Sequence, residues 1–317
     1  MRALRLLFLA LSWACLFAGA ARATTWDEPW HREVVSEATS FGLYEIARST
    51  PGAVTLKRAK HIAGDRTPAT IELKSFYALR LTSRSGDHGP EFRLPAGSKA
   101  YFYLKPADGA WAIATPTAGY AGVGQGGEVY ATYRFSAHQA IADAPVYEMT
   151  QRCIFEVLHG RRDCDPSVAA FVTAQLARPA VTMAADRAVF FNQHIALETA
   201  SFTHQPIAGA VLEGFLNTPD IHVQLSSLRA LAAQRPDKAE RLMRFVQDEH
   251  AEPTARAMAA MLLVETGAHG MKQRLLDYAP KADDAEAGLG IALMDPRIGT
   301  HFPRTLKQAV QLAGEQL

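Results

Sequence analysis

The chain has 317 residues, of which 48% are apolar and 21% charged, with 33 Lys and Arg against 32 Asp and Glu. That balance belongs to a globular protein and excludes a disordered or low-complexity chain. A net charge so near zero also excludes a protein built to hold nucleic acid, which needs clustered Lys and Arg against the phosphates.

At the amino terminus Arg2 and Arg5 precede an apolar run over 6–19, and Ala20-Ala21-Arg22-Ala23 follows. Small residues at Ala21 and Ala23 stand where a signal peptidase reads, so a cleavable secretory signal is expected over 1–23, cut between Ala23 and Thr24. The run falls short of the roughly 20 apolar residues that span a bilayer, and no later stretch approaches that length, so no transmembrane anchor is expected. Cys15 raises the alternative of a lipid-modified cysteine. Bulky Trp13 before it and the apolar residues beyond it favour ordinary cleavage. The leader holds three Arg and no acid, which turns the formal +1 into −2 for residues 24–317. A periplasmic or secreted protein is the expectation, with Arg161-Arg162 as its longest local basic cluster.

Residues 24–140 carry β texture. Candidate strands lie at 41–48, 53–61, 69–76, 99–105, 110–115 and 128–135, with alternation in Val54-Thr55-Leu56-Lys57, Ile71-Glu72-Leu73-Lys74 and Tyr101-Phe102-Tyr103-Leu104. Turn residues punctuate them at Thr50-Pro51-Gly52, Gly64-Asp65, Ser85-Gly86-Asp87 and Asp108-Gly109. The pattern predicts an antiparallel sheet of barrel or sandwich kind. After Ala144 the period becomes helical. Pro145 opens a helix bearing Val146, Met149, Cys153 and Val157, and Gly160 closes it. Asp165 and Pro166 are N-cap and first residue of the next helix, whose apolar side holds Val168, Phe171 and Val172. After the leader only Cys153 and Cys164 remain. In an exported chain these predict a structural disulfide across the hairpin; the alternative, a metal pair, lacks further ligands nearby. Residues 141–205 form this helical connector. From 206 to 317, second helices begin near Ile221, Thr254 and Ala285, a period on the order of 32 residues, as in stacked helical hairpins.

Two resemblances follow. Thr218-Pro219-Asp220 before Val223-Gln224-Leu225-Ser226-Ser227-Leu228-Arg229-Ala230-Leu231, with its Glu252-Pro253 counterpart, resembles HEAT-type repeats over 206–296. Leu56-Lys57-Arg58 through Ile62-Ala63-Gly64-Asp65, Leu94-Pro95-Ala96-Gly97-Ser98 before Tyr101, and Gly109-Ala110-Trp111 are similar to OB-fold or netrin-like barrels of exported bacterial proteins. Netrin-like inhibitors of metalloproteases place an amino-terminal cysteine on the catalytic metal. Here Thr24 is the expected start and 24–140 holds no cysteine, so that activity does not carry over. Neither resemblance supplies a catalytic residue. The expected fold class is α+β multidomain: an antiparallel OB/netrin-like β-barrel, then an α-helical HEAT-like region.

Few motifs carry chemistry. The glycines from Gly119 to Gly127 precede a strand-like run and lack a Lys-Ser/Thr ending, so they read as a loop between strands and not as a phosphate cradle. No G-x-S-x-G occurs, and Ser98 reads as a turn residue. His194 and Glu198 are four apart on one helix face with His204 beyond, and are the candidate metal ligands. The plainer reading is a surface His–Glu contact. His222 and His250 stand near repeat turns as polar surface residues, and Asp248-Glu249 and Asp283-Asp284 suit helix starts. Phe76, Tyr77, Tyr101, Phe102, Tyr103, Trp111, Tyr120, Tyr130, Tyr133 and Phe135 crowd the β segment. Half of an alternating set must point inward, so most are expected in the core, and the outward half would make an adhesive face. The expected function is non-catalytic binding of a protein or cell-envelope component, with no cofactor. The alternatives are an envelope hydrolase with a dispersed, metal-assisted site, and an accessory or inhibitor subunit of another envelope enzyme.

Overall fold

A computed structural model describes residues 29–50, 53–74, 94–115, 118–134, 139–161, 164–233, 237–287 and 303–317. The expected signal, its Ala23–Thr24 junction, Phe76, Tyr77 and Phe135 lie outside them. The fold is α+β.

A short helix, α1 (His31–Glu37), comes first; its Glu33 reaches back to accept the Trp30 N–H at 3.0 Å. Eight strands follow: β1 (Ser40–Thr50), β2 (Ala53–Gly64), β3 (Thr70–Lys74), β4 (Lys99–Ala107), β5 (Ala110–Ala112), β6 (Tyr120–Val123), β7 (Glu128–Thr132) and β8 (Gln139–Asp143). Their order is β3-β2-β1-β4-β6-β7-β8, with β5 folded back on β4, and all pairs are antiparallel. The β1–β2 ladder shifts register at Phe41/Gly42, Leu43/Tyr44 and Ile46/Arg48. Such irregularities bend strands, and here the sheet curls until β3 lies against β5.

Curling gives the sheet two buried faces. Its inner face packs Tyr44, Ile46, Val54, Leu56, Leu73, Phe102 and Leu104, while Phe41, Tyr101, Tyr103 and Tyr133 turn outward against helices. Strand β4 serves both, so every residue from Ala100 to Leu104 is buried. Of the aromatics crowding this segment, Tyr101, Phe102, Tyr103, Tyr120 and Tyr133 are core, as expected of most of them, and Trp111 and Tyr130 are half-buried.

The helices are α2 (Ala144–Leu158), α3 (Pro166–Leu176), α4 (Arg187–Thr203), α5 (Gly209–Leu216), α6 (Ile221–Ala233), α7 (Lys238–Val246), α8 (Pro253–Glu265), α9 (Lys272–Tyr278) and α10 (Leu306–Gln316). Helix α2 lies on β2, β7 and β8, and α4 packs on β8. Helices α4, α6, α8 and α10 then form a row, each against the next, with α3, α5, α7 and α9 paired to them in turn. Aspartates set the starts: Asp165 Oδ1 accepts the Ser167 N–H at 2.9 Å, Asp186 Oδ1 that of Val189 at 3.0 Å, and Asp220 Oδ1 that of His222 at 3.0 Å. Helix α8 is buried through Ala255, Ala257, Ala259 and Ala260, small side chains that let its neighbours approach closely. One apolar cluster runs from Phe41 of the sheet through Leu197, Leu228 and Leu263 to Val310. Cys153 and Cys164 form the expected disulfide, with Cα atoms 5.1 Å apart, tying α2 to the approach of α3.

Four elements differ from the expectations. The glycine-rich stretch holds strand β6, and only Gly124–Gly127 turns, with Gly127 at φ 87°. The third repeat helix, expected to start at Ala285, does not start there, and the next helix among the described residues is α10 at Leu306. Ala285, Glu286 and Ala287 are not helical and Glu286 bridges to Thr305, while 288–294 lie outside the described residues. Helix α1 and strand β8 had no counterpart in the reading of the sequence. No described helix is long and apolar enough to cross a membrane.

Candidate functional site

The chemistry-bearing residues meet where the sheet hands over to the row of helices. Helix α4 presents His194 and Glu198 one turn apart, α6 presents Ser226 and Arg229, and Arg134 arrives from the residues after β7. Arg134 donates through Nε to Glu198 Oε1 at 2.5 Å, and through Nη2 to the His222 carbonyl at 2.7 Å and to Ser226 Oγ. Arg229 donates through Nε to Glu198 Oε2 at 2.9 Å. Ser226 Oγ lies 2.9 Å from Glu198 Oε1 and 2.7 Å from His194 Nδ1. A hydroxyl has one proton and two lone pairs. Donating to Glu198 while accepting from Arg134 and from a protonated His194 Nδ1 uses all three.

Burial alone drives the Glu198 carboxyl upward, but Arg229 and Arg134 outweigh it and hold the group at about 2. Burial pushes His194 well below the usual histidine range, helped by Arg134, His222 and Arg229, so its ring is neutral. Nearby, burial brings His31 to about 4, against the opposing pull of Gln151, whose Oε1 is bonded by the ring at 2.8 Å and by the Tyr103 hydroxyl at 2.6 Å. The network thus holds two guanidinium cations and one carboxylate, an excess of one positive charge.

That excess faces a cleft. Arg229 is braced by Trp30 and Phe202, with its guanidinium 5.3 and 5.9 Å from the ring centres, and Arg32 stands 5.3 Å from the same Phe202 ring. These arginines, with His204, Lys238, Leu262 and Glu265, line a cleft of about 410 Å³ between α1, α4, α6, α7 and α8. Burial lowers the Arg32 guanidinium and the Arg229 charge adds to this, while Glu265 opposes both.

The candidate ligands His194, Glu198 and His204 are not brought together as a metal site. His194 and Glu198 do share a helix face, but it is an interior face, and the reading of a surface pair is corrected: their exposures are 2% and 0%. Both Glu198 oxygens are engaged by arginine, so a dication there would face two guanidinium groups. His204 caps the end of α4 in the left-handed region at φ 54° and sits on the cleft rim. Among the described residues no group of three His, Cys, Asp or Glu is arranged to hold a metal ion. Ser226, His194 and Glu198 have the composition of a hydrolytic triad, yet the serine is fully buried, where no substrate carbonyl reaches it. Ser98 donates to the Pro95 carbonyl at 2.7 Å in a turn. Asp248 and Asp283 likewise accept the N–H groups of His250 and Ala285, at 3.0 and 3.2 Å.

Reading the sequence missed Arg32, Arg134, Ser226, Arg229 and Lys238. Arg229 had a visible signal: it lies inside Leu225–Leu231, a run that the structure buries throughout. A charge at such a position requires a buried partner. Comparison of the chain with protein families, with curated proteins and with solved structures finds no match.

Proposed function

We propose that this is an exported, non-catalytic binding or scaffold protein that engages a protein or cell-envelope component through the cleft beside Arg229. In this reading the curled sheet is a barrel of OB or netrin-like kind, and the hairpins along α4, α6, α8 and α10 are a short HEAT-like solenoid, a form that builds extended concave surfaces. The contact of β3 with β5 supports the first and the row of helices supports the second. The observation that carries the function is the cleft, assembled from five helices and floored by an arginine already fixed by Glu198, Trp30 and Phe202. Prepositioned side chains lose little freedom on binding. The hydrolase alternative needs a nucleophile open to substrate, and the burial of Ser226 and His194 favours binding over it.

A photocrosslinking residue at Thr266, on the cleft wall, tests the proposal in cells. It should trap one defined partner in the envelope fraction, and the same residue at Glu72, exposed on β3, should not. Equal capture from both positions would refute the assignment. Mass spectrometry of the exported form should give Thr24 as its first residue.

A further inference from the structure

We infer that the cleft takes a doubly charged anion of small-ligand size, a phosphate monoester or a dicarboxylate, held by Arg32, Arg229 and Lys238. The inference rests on the binding reading above and gives it a ligand chemistry.

Charge comes first. The lining holds three cations, Arg32, Arg229 and Lys238, against one carboxylate, Glu265. Glu198 does not cancel Arg229 separately, because it is shared with the buried Arg134. Two positive charges are thus presented to the cleft, and a dianion balances them. Geometry comes second. Arg229 bonds Glu198 through Nε, and two aromatic rings flank its guanidinium. Terminal guanidinium nitrogens held in a fixed fork match a carboxylate or phosphate in two-point contact. Arg32 and Arg229 share the Phe202 ring and repel each other without a ligand; burial lowers the Arg32 guanidinium and the Arg229 charge lowers it further. An anion between them relieves that repulsion. Size comes third: about 410 Å³ lies in the range of small-molecule sites, room for one anionic group, whether free or carried on a larger protein or envelope component.

Calorimetry on the purified mature protein tests this, with inorganic phosphate and succinate as probes in low-salt buffer, at a pH where both are doubly ionised. At least one should bind saturably with one site per chain, and affinity should fall as salt rises. Phosphate alone binding assigns the phosphate monoester, and succinate alone the dicarboxylate. Both binding leaves the shared chemistry as the recognised feature. The double variant Arg32→Gln/Lys238→Gln should weaken binding about tenfold or more, with its melting temperature unchanged, since neither residue belongs to the Glu198 network. Failure of both probes, or unchanged affinity in the double variant, would overturn the inference. If the probes fail while Thr266 still captures its partner, the anion chemistry falls and the binding role stands. If both fail, the cleft itself is wrongly assigned.

Discussion

Glu198→Gln tests the architecture most directly. The substitution keeps the volume of a fully buried side chain and removes only its charge, leaving Arg134 and Arg229 with no counterion between them. Two routes give the cost. The carboxyl titrates at about 2 in the fold against an ordinary 4.5, and at about 1.4 kcal/mol per pH decade that difference stabilises the fold by about 3 kcal/mol. Breaking a buried ion pair from one side costs about 3–5 kcal/mol by general experience. The routes agree, and the variant should lose about 3 kcal/mol, equivalent to roughly 6 °C in melting temperature for a chain of this size.

Urea denaturation followed by tryptophan emission is the assay, and Trp30, stacked on Arg229, gives a local reporter. The sign of the pH dependence follows from the depressed carboxyl. Its contribution is complete above 4.5 and disappears as pH falls towards 2, so the gap between wild type and variant should close across that window. A variant within about 0.5 kcal/mol of wild type at neutral pH, the level of an ordinary surface change, would refute the view that this carboxylate holds sheet and helices together.

Other predictions concern separate parts of the fold. His31 is neutral in the fold down to about 4, whereas the unfolded chain takes up the proton near 6.5. Wild type should therefore lose up to about 3 kcal/mol as pH falls through that interval, and His31→Gln should flatten the urea midpoint there. Reducing the Cys153–Cys164 bridge, or replacing Cys153 by Ser, releases a short loop and should cost about 3 kcal/mol, seen as a lower melting temperature with dithiothreitol. Gly64→Ala forces a side chain into φ 73° and puts its Cβ 2.2 Å from the Thr39 carbonyl oxygen and 2.7 Å from the Phe155 ring. A loss of about 2 kcal/mol or more is expected by thermal circular dichroism.

What the chain disclosed in advance follows physical range. Local signals were legible: Asp165-Pro166 starts α3 where expected, and β2 and β4 fall on their alternating runs. The disulfide was legible because only two cysteines follow the expected leader. Strand β8 escaped because Ala140, Ile141 and Ala142 are small or modest side chains with no polar alternation, and α1 because seven residues are too few to display a period. The site was half legible. Spacing put His194 and Glu198 on one face, but whether that face meets solvent or Arg134, 64 residues away, depends on the docking of α4 against β8. No local pattern encodes that contact.

The composition of the buried network bears on why it exists. Two cations and one carboxylate are a poor choice for stability, since well-packed apolar side chains of similar volume commonly equal or exceed a buried ionic cluster. The combined variant Arg134→Met/Glu198→Leu/Arg229→Met should accordingly fold with a stability within about 2 kcal/mol of wild type or above it, unlike Glu198→Gln alone. Anion affinity should not survive, because the floor of the cleft would lose Arg229, the cation that Trp30 and Phe202 hold in place. Calorimetry with phosphate and succinate, beside urea denaturation of the same sample, separates the two effects. A triple variant that unfolds would show that the charges are required by the fold. One that folds and still binds either probe with wild-type affinity would show that the surplus positive charge beneath the cleft serves no ligand.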